Sequence, residues 1–264
     1  MGLAEALLDL QDLTRRLRRD CPWDREQTAT TIVPHTVEEA YEVADAALSG
    51  DVAGLQGELG DLLFQVYFLS LLLEEQGHGD LESVARAVHE KLVRRHPHVF
   101  GDGDAATPGR VRERWEELKT ELEGREGIFH DVPQTLPALL EARKVQRRAA
   151  SVGYDWPDVA GPLAKLDEEL GELGVAVGDA GRPSPETEPD PAVFDELGDV
   201  LFTLVNVARR LNVDPELSLR SASRRFTERV SRAVELAAAD GADWRRLDLD
   251  RQDTYYERAK EALR

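Results

Sequence analysis

The sequence predicts an all-α protein, and three observations support that prediction. Residues 34–50 place apolar side chains at spacings of three and four and end in a glycine, which is the pattern of an amphipathic helix. The alternation of β-branched and polar residues that is typical of strands is nearly absent. Similar helical stretches, separated by Gly and Pro, recur along the 264 residues. We therefore expect the chain to fold as helical bundles.

The periodic segments give the expected positions of the other helices. In the first half we predict helices over 51–76, 80–95 and 110–124. In the second half we predict helices over 134–150, 159–178, 191–211, 214–239 and 249–263. Two segments rich in Gly and Pro punctuate the pattern, which are "GREGIFHDVP" (124–133) and "GDAGRPSPETEPDP" (178–191). We interpret the first as a domain boundary and the second as a flexible loop.

Short motifs recur in the same order in the two halves of the chain. "VEEAYEV" at 37 matches "DEELGEL" at 167, and "GELGDLLF" at 57 matches "DELGDVLF" at 195. "KLVRR" at 91 matches "RFTER" at 225, and "WEELK" at 115 is a weaker match to "YYERAK" at 255. Because the order is preserved, we infer a tandem duplication. The two homologous helical domains are expected at 1–125 and 134–264, with a linker at 126–133.

Each copy carries two acidic motifs on neighbouring helices. In the first copy, Glu39 and Glu42 are three residues apart, as are Glu58 and Asp61, and side chains at that spacing share a helix face. The short connection between the helices makes them antiparallel neighbours, so four carboxylates should converge. Carboxylates in leucine-rich surroundings carry a desolvation cost that a bound cation would offset, and Mg²⁺ suits oxygen ligands. The second copy offers Glu169, Glu172, Glu196 and Asp199.

Two further features accompany these acids. A glycine lies inside the second acidic helix of each copy, at Gly60 and Gly198, which suggests close approach of a helix or a ligand.

A di-iron site would need Glu-x-x-His on two helices. The chain has one such match, at residues 75–78, and no counterpart in the second copy, so we favour the carboxylate site for Mg²⁺.

Basic and aromatic side chains follow the acidic motifs in each copy. Lys91 and Arg95, like Arg225 and Arg229, are four residues apart on a later helix. Such pairs would suit a polyphosphate, although ordinary surface charge explains the spacing equally well. The last helix of each copy adds a lysine and an aromatic ring that would stack on a base or pack in the core. These residues are Lys119 with Trp115, and Lys260 with Tyr256.

Composition excludes several classes of function. The net charge of -19 argues against binding to a nucleic acid polymer or an anionic membrane, because lysine and arginine hold polyanions. The longest apolar stretch, "LLFQVYFLSLLL", has 12 residues and is too short to span a bilayer. The N-terminus has no signal-peptide core, and the single cysteine, Cys21, precludes an internal disulfide. We expect a soluble, cytoplasmic protein.

Taken together, the motifs resemble those of a known family. The segments that carry the resemblance are "CPWDREQT", "EEAYEV", "GELGDLLFQV", "KLVRRHPHVFGD", "RWEELK" and "VGYDW". They are similar to the MazG-type nucleoside triphosphate pyrophosphohydrolases of the all-α NTP pyrophosphatase superfamily, over nearly the whole chain. The resemblance implies hydrolysis of an NTP to NMP and pyrophosphate with Mg²⁺, or Mn²⁺ as a substitute. It also implies a homodimer and a role in nucleotide-pool housekeeping.

The resemblance assigns roles to individual residues as well. By motif match, the eight acids named above are the metal ligands. The nucleotide site is expected in the second copy, where Lys165, Arg225 and Arg229 would hold phosphates and Tyr256 would take a position that is Trp in relatives. As general base, or as a group that orients the water, we expect Glu168, with Glu38 as its counterpart in the first copy.

Three alternatives remain open at this stage. A dUTP-type or a phosphoribosyl-ATP-type pyrophosphohydrolase would use the same acids with a different base preference. A non-catalytic nucleotide- or Mg²⁺-sensing helical protein would keep the fold without turnover. Both acidic sets are complete, which argues against decay of either copy.

Overall fold

A computed structural model of the chain describes residues 2–101, 127–129, 132–133, 135–180 and 188–264. Within these ranges the chain forms α-helices and one 3-10 turn, with no strand, which confirms the all-α prediction. The predicted helix at 110–124, residues 126, 130 and 131 of the predicted linker and the centre of the predicted 178–191 loop lie outside the described residues. No helix in the described ranges is both long enough and apolar enough to cross a bilayer.

The chain divides into two compact units, with the division between residues 123 and 124. The described helices of unit 1 are α1 (Leu3–Asp20), α2 (Pro22–Glu26), α3 (Ala29–Ser49), α4 (Val52–Glu75), α5 (Leu81–Arg95) and α6 (Pro97–Phe100). Those of unit 2 are α7 (Ala138–Ser151), α8 (Ala160–Ala180), α9 (Pro191–Arg210), α10 (Pro215–Ala239) and α11 (Leu249–Ala262), with the 3-10 turn at Trp244–Arg246. The predicted homology of two domains, and their exact limits, stay predictions.

Unit 1 is built on the α3–α4 helix pair. Ile32 of α3 and Phe68 and Leu72 of α4 form its buried core, against which Phe64 and Leu69 pack. Helix α1 lies along the end of α4 and is tied to it by paired hydrogen bonds from Arg15 to Glu74 and from Arg18 to Glu75, at 2.7–3.0 Å. The periodicity analysis did not predict α1.

Helix α3 begins at Ala29, five residues before the start suggested by its apolar spacing. A reciprocal cap explains the earlier start. The Thr28 hydroxyl accepts from the Thr31 N–H at 3.2 Å, and the Thr31 hydroxyl accepts from the Thr28 N–H at 2.8 Å. Pro34 therefore lies inside the helix and costs it one backbone hydrogen bond. The helix ends at Gly50, whose left-handed φ of 73° suits glycine.

Unit 2 is built on the α8–α9 pair, with α7 packed against α9 and α10, and α11 against α10. The side-chain amide of Gln146 on α7 donates to the backbone carbonyl of Phe202 on α9 at 2.7 Å. After α7, Asp155 accepts hydrogen bonds from Arg209 and Arg210 at the end of α9. Burial raises the pKa of the Asp155 carboxyl, but the hydrogen bond and charge of Arg209 outweigh that effect and hold it below its usual value.

The glycines inside the acidic helices have open surroundings. A Cβ built on Gly60 or Gly198 meets no other atom within 4 Å in the described part of the chain. The expected close approach is therefore not made by the described residues of the chain itself. A two-helix pair covers one face of each helix only, and these glycines lie away from that contact.

Candidate functional site

In unit 1, the α3–α4 pair brings three predicted acids together. One carboxylate oxygen from each of Glu39, Glu58 and Asp61 lies within 4.8 Å of the others. The connection at 50–51 turns the chain back on itself, and Asp51 begins α4 by accepting from the Gly54 N–H at 3.0 Å. The short connection thus aligns one acidic motif from each helix, as the spacing predicts.

The fourth predicted acid, Glu42, belongs to the same cluster. It is close enough to Glu39 and Glu58 to raise the pKa of both. The pKa of Glu39 is raised, first by burial and then by the charges of Asp61, Glu42 and Glu58. The pKa of Glu58 is raised by burial and by Glu42 and Asp61. Both shifts mean that the cluster holds more negative charge than its surroundings stabilise.

Unit 2 repeats the arrangement between α8 and α9. Carboxylate oxygens of Glu169, Glu196 and Asp199 lie within 4.8 Å of one another. Glu172 lies one turn after Glu169, and burial together with Glu169 and Glu196 raises the pKa of Glu172 despite the opposing charge of Lys165. All four predicted acids of this copy are therefore grouped.

The two clusters differ in the residue one turn before the first acid. In unit 2, the ammonium of Lys165 donates to Glu168 at 2.8 Å and pairs with Glu169 at 2.7 Å. The hydrogen bonds of these two acids raise the pKa of Lys165, so it stays charged. In unit 1 the same position is His35, whose Nδ1 lies 3.8 Å from Glu38. The two acids predicted as bases, Glu168 and Glu38, thus both face a nitrogen-bearing side chain.

The donor set fits a hard divalent cation. Carboxylate oxygens from two helices converge, and such oxygens are the ligands that Mg²⁺ and Mn²⁺ accept. The position of the Lys165 ammonium on the buried Glu169 carboxylate indicates that the unit 2 cluster already accommodates a positive charge. The residues that could hold the ion are Glu39, Glu42, Glu58 and Asp61 in unit 1, and Glu169, Glu172, Glu196 and Asp199 in unit 2.

A basic and aromatic groove lies on α10 and α11 of unit 2. It has a volume of about 490 Å³, and its lining includes Arg225, Phe226, Arg229 and Tyr256. Phe226 is 60% exposed, and its ring centroid lies 5.9 Å from that of Tyr256 at an interplanar angle of 47°. Arg225 donates to the Ser221 hydroxyl at 2.7 Å. Three of the predicted substrate residues, Arg225, Arg229 and Tyr256, therefore line one groove.

Sequence reasoning missed Phe226. The signal that would have found it is an aromatic residue three residues before Arg229, since side chains at that spacing share a helix face. Among the other predicted substrate residues, Lys260 binds Glu257 at 2.7 Å instead of lining the groove. Lys91 is exposed and Arg95 half-buried on α5. Trp115 and Lys119 lie outside the described residues.

Known proteins resemble the chain over its whole length. Residues 27–100 match the model of the MazG nucleotide pyrophosphohydrolase domain. The chain is 38% identical over 263 residues to the nucleoside triphosphate pyrophosphohydrolase of Escherichia coli strain K12, covering 98% of each sequence. It is 38% identical over 256 residues to the nucleoside triphosphate pyrophosphohydrolase/pyrophosphatase MazG of Thermotoga maritima, covering 96% of this chain and 94% of that protein.

One solved structure also aligns with the chain. It is a MazG-related protein from Thermotoga maritima, with 28% identity and a TM-score of 0.38 over 42% of this chain and 97% of that one. The family assignment depends on the full-length sequence relatives and the domain match. The chain belongs to the family of MazG nucleotide pyrophosphohydrolases.

Proposed function

We propose that the chain hydrolyses a nucleoside triphosphate to the monophosphate and pyrophosphate, with Mg²⁺ bound by the acidic cluster of unit 2. The observation that carries the proposal is the presence, in one compact unit, of four grouped carboxylates and a groove of arginines and aromatic rings. Relatives named as nucleoside triphosphate pyrophosphohydrolases cover this chain from end to end, which supports the same reaction here.

The acids of unit 2 would hold the ion between α8 and α9. Glu169, Glu196 and Asp199 supply oxygens within 4.8 Å of one another, and Glu169 and Glu196 are close enough to Glu172 to raise its pKa. When bound, Mg²⁺ would neutralise phosphate charge and lower the pKa of a water molecule. The raised pKa of Glu172 favours this occupancy, because a cation would offset the burial and the neighbouring acids that cause it.

The cations of unit 2 would bind the phosphates. Arg225 is exposed and Arg229 is half-buried on the same face of α10, and guanidinium groups bind phosphate oxygens in pairs. Lys165 adds a point charge directly beside the acidic cluster. These three side chains would hold the triphosphate, and a water molecule would attack the α-phosphorus so that pyrophosphate leaves.

The aromatic rings of the groove would bind the base. A phenylalanine that is 60% exposed gains nothing from core packing, whereas a nucleobase stacked on Phe226 and Tyr256 would cover it. The tyrosine hydroxyl would leave a polar group at the edge of the base. Stacking accepts any base, so this groove alone would give broad substrate range.

Glu168 is our candidate for the group that accepts or orients the proton of the attacking water. Its side chain is 58% exposed and its carboxylate accepts from Lys165 at 2.8 Å. This exposure leaves the carboxylate accessible to a water molecule, which a general base requires. Glu38 would take the same role if unit 1 were active, with Lys91, Arg95, Trp115 and Lys119 as its substrate residues.

We also propose that the active form is a homodimer. Leu197, Leu201 and Leu204 lie three or four residues apart on α9 and are 46–50% exposed. Helix α4 of unit 1 likewise exposes Leu59, and a Cβ on Gly60 beside it meets open space. A second copy would cover these apolar faces. As an enzyme of the nucleotide pool, it would act in the cytoplasm.

Pyrophosphate release from a panel of canonical and damaged NTPs, with Mg²⁺ and with chelator, tests the proposal. Glu172→Gln should abolish turnover, and the matched change Glu42→Gln in unit 1 should leave most of it. The reverse pattern would move the chemistry to unit 1. Selective turnover of dUTP or phosphoribosyl-ATP would narrow the substrate class, and nucleotide binding without turnover of any substrate would contradict the proposal in favour of a sensing role.

A further inference from the structure

Lys165 occupies the place of a counter-cation at the acidic cluster of unit 2. Its ammonium lies 2.7 Å from one oxygen of Glu169 and 2.8 Å from Glu168. The Glu169 side chain is 7% exposed, so water screens this ion pair poorly. Glu169 is also the most buried of the grouped acids in that cluster, and it faces Glu196 and Asp199 of α9.

Among the described residues of unit 1, no cation pairs with the first acid. His35 takes the position one turn before Glu39, and its Nδ1 lies 3.8 Å from Glu38. The charges that act on Glu39 are those of Asp61, Glu42 and Glu58, all of them negative. The same cluster geometry therefore occurs twice in the described chain, once with an ammonium in place and once without it.

We propose that a divalent cation must displace Lys165 from Glu169 when it binds unit 2, so that Lys165 restrains metal loading until a triphosphate takes up its charge. A divalent ion and an ammonium on one buried carboxylate repel each other strongly, and Glu169 cannot serve both. The freed ammonium then lies beside the ion, where the phosphates of a substrate would bind. This inference rests on the proposed function for its second half only.

Two consequences separate the units. Without nucleotide, unit 2 binds a divalent cation more weakly than its four acids alone would allow. Unit 1, with His35 in the corresponding position, binds the ion without this restraint. Since coupling free energies are reciprocal, a triphosphate that draws Lys165 away also tightens metal binding in unit 2. Lys165 is thus a residue that couples metal to substrate.

The test is a titration of the nucleotide-free full chain with Mn²⁺, in which electron paramagnetic resonance measures the concentration of the free ion. Unit 1 is first silenced by Glu39→Gln with Asp61→Asn, so that the titration reports on unit 2. Lys165→Met, which keeps the length of the side chain and removes its charge, should lower the Kd for Mn²⁺ by about two- to fivefold, the upper part of the range for one partly exposed ion pair. Circular dichroism confirms that each variant is folded.

The matched control uses the other cluster. With unit 2 silenced by Glu169→Gln and Asp199→Asn, His35→Met should leave the Kd unchanged, and His35→Lys should raise it. An unchanged or higher Kd in Lys165→Met would overturn the inference, as would an equal effect of His35→Met. Because no nucleotide is present, a chain that hydrolyses no NTP can still pass this test, so failure of the function and failure of the inference are distinguishable.

Discussion

Individual carboxylates in the two clusters carry a charge that the fold does not neutralise. Burial, followed by neighbouring acids, raises the pKa of Glu39, Glu58 and Glu172. The folded chain therefore holds these protons more tightly than the unfolded chain does. Each group contributes stability that is present at low pH and is lost as the pH rises through its raised folded-state pKa.

Neutralising one of these acids should therefore stabilise the metal-free protein. We expect Glu39→Gln to raise the free energy of unfolding at pH 7 in chelator, with the gain disappearing as the pH falls through the raised pKa of Glu39 and below its ordinary value. In excess Mg²⁺ the wild-type protein should be the more stable of the two, because the variant lacks one metal ligand. Urea unfolding measures the free energy of unfolding under both conditions. Asp9→Asn, an exposed change on α1, is the control, and destabilisation by Glu39→Gln in chelator would contradict the account.

The aromatic rings of the groove lead to a second expectation at this scale. Phe226→Ala should raise KM for the NTP by about tenfold while changing kcat little, since base stacking contributes about 1–3 kcal/mol. Steady-state kinetics on ATP measure the two constants. Tyr154→Ala removes another exposed aromatic residue of unit 2, 83% exposed and outside the groove, and should change neither. A fall in kcat alone would argue against base binding.

Among the elements, the helices that carry the acids are those that the sequence predicts best. The predicted ranges 51–76 and 191–211 become Val52–Glu75 and Pro191–Arg210, because glycines, Asp51 and Asp190 mark their ends. The start of α3 escapes prediction because the Thr28 cap lies outside the apolar pattern and Pro34 suggests a false beginning. Periodicity alone also omits α1, whose position against α4 depends on ion pairs from distant residues.

The candidate site, like the helices, can be predicted from the sequence only in part. Spacing predicts which acids share a helix face, and the short connection predicts which helices meet. Spacing cannot predict that Lys165 reaches Glu169 while His35 does not reach Glu39, because side-chain length and rotamer decide that contact. Nor does it predict that Phe226 turns outward beside Tyr256. These details depend on tertiary packing, and the roles of all these residues remain predictions.

The ion pairs between Asp155, in the loop after α7, and the two arginines Arg209 and Arg210 at the end of α9 have a strength that can be measured. Asp155→Asn should lower the free energy of unfolding by about 1–3 kcal/mol, because Arg209 and Arg210 lose a partly buried charged partner. The loss should be largest at pH 7 and shrink as the pH falls through the lowered pKa of Asp155. Asp253→Asn on α11 is an exposed control. An effect independent of pH would exclude the carboxylate as its source.

The exposed apolar face of α9 has a separate test. Leu201→Lys should convert a dimer to a monomer, since burying one ammonium in an apolar interface costs several kcal/mol. Light scattering coupled to size-exclusion chromatography gives the mass. Leu249→Lys, at a side chain that is 77% exposed on α11, should leave the mass unchanged. A wild-type chain that is monomeric at every concentration would refute the dimer.

At the scale of the whole molecule, a chain with a net charge of -19 acts, in our proposal, on a polyanionic substrate. Local positive charge in unit 2 resolves this contrast: Arg225 and Arg229 line the groove, Lys165 pairs with Glu169, and a divalent cation would add two more positive charges. We expect a chain of this net charge to bind free nucleotides in preference to polymeric nucleic acids, which need many basic contacts. Because the acidic cluster and the triphosphate are both negatively charged, we expect activity to be lost when the metal ion between them is removed.

The central claim is that water attacks the α-phosphorus of an NTP at the acidic cluster of unit 2. Single-turnover hydrolysis of ATP in water enriched in ¹⁸O, with Mg²⁺, followed by mass spectrometry of both products, tests it most directly. We predict one ¹⁸O in AMP, none in pyrophosphate, and no product from Glu172→Gln. Label in pyrophosphate, release of ADP and phosphate, or full activity of Glu172→Gln would contradict the account.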